Sequence, residues 1–228
     1  MTRAETKPIT IAVDAATQVS GLFTQCEKST ALFVFAPGAG AGITHSFMED
    51  VAAGLAERGI ATLRYQFPYM ERGSGRPDPP PICHATVRAA VEEAKRLMPG
   101  VPVFAGGKSF GGRMTSQAQA ASPLPDVRGI IFLGFPLHLA KKPADARAAH
   151  LSDVRIPMLF LQGTRDELAD LTLLEPVIQK LGKSATLAKI EAADHGFHVL
   201  VRSGRKNEQV MTELLDRISA WAMQAATK

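Results

Sequence analysis

A chain of 228 residues, 46% hydrophobic and 21% charged, has the balance of a globular protein able to bury one large core, and residues 1–228 read as a single domain. No apolar run approaches the roughly 18 to 20 residues that a membrane helix needs, which argues against a membrane protein. The net charge of +4 comes from scattered Lys and Arg, with short clusters only at Lys141–Lys142 and Arg202–Lys206, the pattern of a solvated surface rather than of a nucleic-acid face.

The N-terminal stretch MTRAETKPITIAVDAATQ lacks a continuous apolar segment followed by a small-residue cleavage site, so no secretory signal is expected and a cytoplasmic location is assigned. Cys26 and Cys83 lack metal-ligand spacing and are too few for a disulfide framework; both read as inert free thiols.

In chain order, the apolar runs ITIAV (9–13), ALFVFA (31–36), IATLRYQF (60–67), VPVFAG (101–106), GIIFLGF (129–135), IPMLFLQ (156–162) and ATLAKIE (185–191) predict strands, most of them buried on both faces. Helical spacing appears between them: Phe47, Val51 and Leu55 up to Gly59; Val87, Val91, Ala94 and Leu97 up to Pro99-Gly100; and RMTSQAQAA from Arg113. The last helix, 207–224, carries Val210, Leu214, Ile218 and Trp221 on one stripe, and Trp221 is expected to pack in the core. This alternation predicts a mostly parallel sheet with helices on both faces. The strands before Ala31 come without an intervening helix and are expected to add an antiparallel edge. Two segments break the rhythm. Tyr69 to Pro81 has too much Pro and Gly for regular structure, and 136–150 sits where related architectures sometimes carry a lid.

The stretch VFAGGKSFGGRM (103–114) admits two chemistries. A phosphate-binding loop G-x-x-x-x-G-K-[ST] needs its first glycine where Pro102 stands, and proline has no N–H to donate, so that reading fails. A nucleophile elbow needs a buried strand, a sharp turn without bulky neighbours and a helix directly after. VPVFAG supplies the strand, Gly106, Gly107, Gly111 and Gly112 the room, and RMTSQAQAA the helix. The partners of such a serine follow in the order acid, then histidine, each on a loop after a later strand. Asp166 follows IPMLFLQ in GTRDE, and His195 follows ATLAKIE in AADHGFHV. Ser109, Asp166 and His195 are therefore the candidate nucleophile, acid and base.

Competing residues have plainer readings. Glu167 is expected to face solvent or cap the next helix, His198 to pack or hydrogen-bond, and Asp194 to brace its loop. His45, His84 and His150 are expected on the surface or in structural roles, whereas His138, directly after GIIFLGF, is expected to line the pocket.

Acyl transfer through a serine builds negative charge on the carbonyl oxygen, which backbone N–H groups must receive. Phe110 and, from the glycine-rich PGAGAG (37–42), Ala39 are the expected donors. A dinucleotide-binding reading of that loop fails, because its third glycine would fall on Ile43 and the acid expected about 20 residues on is missing.

Together PGAGAG, GGKSFGGRM, FLQGTRDE and ADHGF, with RYQFPYM at 64–70, resemble the α/β-hydrolase superfamily, and within it the small dienelactone-hydrolase-like branch that includes the KANL3/Tex30-type proteins. The resemblance runs from about Ala31 to the end of the chain. It implies an α/β-hydrolase sheet without a large cap and Ser109, Asp166 and His195 as its triad. Pro37-Gly38 stands where related members often have His-Gly, and serine rather than cysteine occupies position 109, so the dienelactone substrate itself is not implied.

The expected function is a serine hydrolase of the carboxylic-ester type, acting on a small-molecule ester or thioester through an acyl-enzyme, with no metal or organic cofactor required. Tyr69, Met70, Arg72, Lys108 and His138 are expected at the pocket mouth, with Lys108 and Arg72 hinting at an anionic substrate. Arg113 is expected in a structural ion pair below the site. Without a cap the site should be shallow and favour small acyl groups. The alternative is a non-catalytic interaction protein on the same scaffold, although a scaffold released from catalysis has no physical need for a glycine-crowded elbow.

Overall fold

The seven apolar runs all lie within one sheet of eight strands, ordered β1-β2-β4-β3-β5-β6-β7-β8 in the computed structural model, which describes residues 4–227. The strands are β1 Glu5–Ala12, β2 Gln18–Gln25, β3 Ala31–Ala36, β4 Ile60–Tyr65, β5 Val103–Lys108, β6 Val127–Leu133, β7 Met158–Gly163 and β8 Ala185–Ile190. β1 pairs antiparallel with β2 and β2 antiparallel with β4, which makes the expected antiparallel edge; every other pairing is parallel.

β2 contains no apolar run because only one of its faces is well buried. Val19 and Phe23 point inward on alternate positions, and Gly21 between them leaves room for the side chains of Ile9 and Ile11. The central strands are buried throughout, and alternate residues feed two cores. Leu32 and Val34 of β3 enter the core on one face of the sheet, while Phe33 and Phe35 enter the core on the other. The helices are α1 Ser46–Glu57, α2 Pro68–Glu71, α3 Pro80–Leu97, α4 Phe110–Ala121, α5 Leu171–Leu181 and α6 Asn207–Ala226. Trp221 packs in the second core, edge-on to Phe104 at 5.8 Å between centroids and against Gly129.

Two segments differ from the sequence reading. The 69–81 stretch is not wholly irregular: α2 overlaps its start and α3 begins at Pro80. Proline is at home in a first helical turn, where its missing N–H would find no acceptor anyway, so the prolines open the helix rather than break it. The 136–150 segment lies down against α4, with Leu137 and Ala148 buried and a 3₁₀ helix at Ala146–Asp153. It forms no large cap over the sheet's carboxyl edge. No helix among the described residues is long and apolar enough to cross a membrane.

Candidate active site

Ser109 stands between β5 and α4 with φ 49° and ψ −114°, a conformation that residues with a Cβ rarely adopt. The neighbouring strands crowd this turn so closely that a Cβ at Gly107 would collide with the carbonyl of Ala36, and one at Gly111 with the carbonyl of Pro37. The elbow is therefore specified by close backbone approach as well as by dihedral angles.

His195 lies on the loop after β8, with Nε2 2.8 Å from Ser109 Oγ and Nδ1 2.7 Å from Asp166 Oδ2. Asp166, in the turn after β7, has a fully buried side chain, and its carboxylate accepts from Gln162 Nε2 at 2.5 Å and Leu168 N at 2.8 Å. With Asp166 ionised, Nδ1 carries the imidazole proton and Nε2 is left to accept from the serine hydroxyl. Glu167 is exposed and does not compete for this place. Asp194 braces the histidine loop, its Oδ1 accepting from Gly196 N at 2.8 Å and His198 N at 2.9 Å.

Gln162 went unassigned in the sequence reading. Its side chain also accepts from Phe135 N at 2.9 Å, so one amide ties the candidate acid to the loop after β6. The signal was a polar residue closing the otherwise apolar run IPMLFLQ.

The residues expected at the pocket mouth are used differently. Tyr69 is buried and its hydroxyl donates to the carbonyl of Ala39 at 2.9 Å, bracing the loop of the candidate oxyanion donor. Met70 packs against the core, and Arg72 pairs with Asp78 at the surface. His138 is buried; its Nε2 accepts from Asp170 N at 2.9 Å, which leaves Nδ1–H to donate to Leu139 O at 2.9 Å, so it fastens the 136–150 segment instead of facing a ligand. Lys108 borders the site, but its ammonium donates to the carbonyl of His195 at 2.6 Å and lies 5.4 Å from the centre of the Phe197 ring. Burial pushes its pKa down to about 8. The expected ion pair of Arg113 is not present among the described residues; its guanidinium lies 5.8 Å from the Phe110 ring centre instead.

Phe110 opens α4, so its N–H has no acceptor within the helix and is free for a ligand oxygen beside Ser109. The Gly38–Ala41 loop approaches the same point. From here a cleft of about 980 Å³ runs between α1 and α6, larger than the shallow site expected of a sheet without a cap.

A model of the family described as "Alpha/beta hydrolase domain" matches residues 29–223. Among solved structures, a dienelactone hydrolase from Anabaena variabilis is similar at 20% identity and TM-score 0.76, covering 97% of this chain and 98% of its own. An α/β serine hydrolase without a lid from Xanthomonas campestris is similar at 22% identity and TM-score 0.73, with 95% of each chain covered. Est1E from Butyrivibrio proteoclasticus, solved with ferulic acid bound, reaches TM-score 0.71 at 16% identity over 92% of this chain and 99% of its own. These likenesses carry the fold: a mostly parallel sheet flanked by helices, without a large cap.

Proposed function

Because the chain belongs to the α/β hydrolase domain family, we propose that it is a serine hydrolase of the carboxylic-ester type, acting on a small-molecule ester or thioester. The observation that carries this reading is the unbroken hydrogen-bonded line from Asp166 through His195 to Ser109, at 2.7 and 2.8 Å.

In the proposed reaction, Ser109 Oγ attacks the substrate carbonyl carbon as His195 Nε2 takes its proton, and Asp166 holds and stabilises the resulting imidazolium. The Phe110 and Ala39 N–H groups receive the oxyanion, each donor contributing about 10² to 10³ in rate. The tetrahedral intermediate collapses when His195 gives the proton to the departing alcohol or thiol. Water then attacks the acyl-enzyme with His195 again as base, releasing the acid and restoring the serine. Each step uses only these side chains, two backbone amides and water, so no metal or organic cofactor enters it.

Several coarser assignments belong with this reading. The described residues form one sheet, which supports a single domain over 1–228. Two free cysteines fit a reducing cytoplasmic compartment. Placement in the KANL3/Tex30-type branch rests on RYQFPYM and the four motifs.

A fluorophosphonate probe, which reacts only with an activated serine, tests the proposal. The wild type should label and Ser109→Ala should not. Equal labelling of both, or of neither, would favour a non-catalytic interaction protein on this scaffold. Turnover on matched p-nitrophenyl esters, acyl thioesters and small peptides then separates esterase, thioesterase and peptidase.

A further inference from the structure

The cleft beside Ser109 is built from two helix stripes. On α1, Phe47, Asp50, Ala53 and Glu57 recur at helical spacing along its wall; on α6, Glu208 and Met211 face them. The helices converge where Leu215 fills the space over Gly54, and the Arg58–Asp216 ion pair at 2.8 Å closes the angle behind that contact. The cleft therefore opens at Ser109 and His195 and ends in a wedge. From Phe47 to Gly54 it follows α1 for about 10 Å, at 1.5 Å rise per residue.

Its floor is apolar. Phe47 stacks on Phe197 at 5.8 Å between centroids with the planes 9° apart, and Met48 and Leu214 are buried beneath. Its rim is acidic, carrying the exposed carboxylates of Asp50, Glu57 and Glu208. Two cations beside it, Lys108 and Arg58, bond to protein groups. Lys108 donates to the His195 carbonyl, and Arg58 is held by Asp216 and by the carbonyl of Gly54 at 2.9 Å. Of the rim histidines, His45 uses Nδ1 to cap α1 and His198 stands 3.7 Å from Asp194.

Resting on the serine-hydrolase reading, we infer that the α1–α6 cleft takes one extended apolar arm of the ester, a medium-length alkyl chain or an aromatic ring, that ends in a neutral or cationic group and not in a carboxylate. Apolar surface leaving water on the Phe47–Phe197 floor supplies the affinity, and the acidic rim supplies the charge preference. This departs from the anionic substrate that Lys108 and Arg72 suggested, since both side chains are committed to protein partners.

Two ester series test it: p-nitrophenyl esters from acetate to octanoate, and acetates of alcohols of matching length, so that the arm is found on whichever side of the carbonyl it lies. In one series kcat/KM should rise about two- to fourfold per methylene until the wedge is filled. Met211→Glu and, from the opposite wall, Ala53→Glu should each lower the octyl-to-acetyl ratio about tenfold; Met211 is half-buried against the second core whereas Ala53 is exposed, so Ala53→Glu carries the test if Met211→Glu does not fold. A terminal carboxylate on the long arm should lower kcat/KM at least tenfold against a terminal methyl, and Asp50→Lys should narrow that gap. Turnover that is flat with length in both series, a length dependence that neither variant changes, or a preference for the carboxylate overturns the inference while leaving the hydrolase intact. No turnover on any ester, with no Ser109-dependent labelling, overturns the hydrolase reading and this inference with it.

Discussion

Lys108 donates a hydrogen bond of 2.6 Å to the main-chain carbonyl of His195, so the residue before the candidate nucleophile holds the loop of the candidate base. Lys108→Met removes that tie while keeping most of the aliphatic stem against Phe197. A displacement of the imidazole by about 1 Å is sufficient to cost about 100-fold. Steady-state kinetics should show kcat falling 10- to 100-fold with KM changed less than threefold.

The same lysine has a stability signature. Its folded-state pKa is depressed to about 8 by burial, against 10.5 for the free side chain. Between those values the unfolded chain binds a proton that the folded chain has lost, so this group makes stability rise with pH across that window and contributes no slope below it. Urea melts of wild type and Lys108→Met at pH 7, 8, 9 and 10 should show the wild type gaining on the variant only above about pH 8.

His150 works in the opposite range. Burial, with Arg113 nearby, depresses its pKa from 6.5 to about 4, and its Nε2 lies 2.8 Å from Ser116 Oγ. Here the unfolded chain gains the proton first as pH falls through 6.5, so stability is complete above that value and is lost towards pH 4. After allowance for partial solvent screening the loss is about 1 to 2 kcal/mol. His150→Gln should show a correspondingly smaller drop between pH 7 and pH 4.5 in urea denaturation.

Ser109 is held at φ 49°, a strain of about 1 to 3 kcal/mol for a residue with a Cβ. Ser109→Gly relieves it, less the entropy that glycine adds to the unfolded chain. Calorimetry should find Ser109→Gly more stable by about 1 kcal/mol, about 2 to 4 °C in Tm, and Ser109→Ala without that gain. Ester turnover should fall by about 10⁴-fold or more in both.

Gln162→Leu deprives Asp166 of a donor and Phe135 N of its acceptor inside the protein. A loss of about 2 to 3 kcal/mol in urea denaturation is expected, since buried polar groups are left unpaired, together with a drop in kcat/KM of about tenfold. Unchanged values for both would mean that the amide holds neither the acid nor the loop.

Much of this architecture was visible along the chain because burial on both faces forces a strand to be apolar throughout. ALFVFA and GIIFLGF announce their places in the centre of the sheet, and Trp221 announces its helix face by period alone. β2 was less visible, since its outer face is solvated and a glycine interrupts it. The start of α3 was hidden by prolines, whose effect depends on where in a helix they fall. The order of Ser109, Asp166 and His195, each on a turn or loop that follows a strand, was also present in one dimension, because a parallel sheet brings strand ends to a single edge.

What the sequence could not carry is the direction of a flexible side chain. Lys108, Arg72, Tyr69 and His138 all lie near the sheet's carboxyl edge in sequence terms, yet each bonds to protein. The cleft between α1 and α6 arises from the angle at which two helices distant in sequence meet over Gly54 and Leu215. Strand identity and site order follow from local pattern and connectivity, and so are written in the chain itself. Pocket depth and hydrogen-bond choice depend on which groups compete for each partner after packing, and only the folded structure resolves that competition.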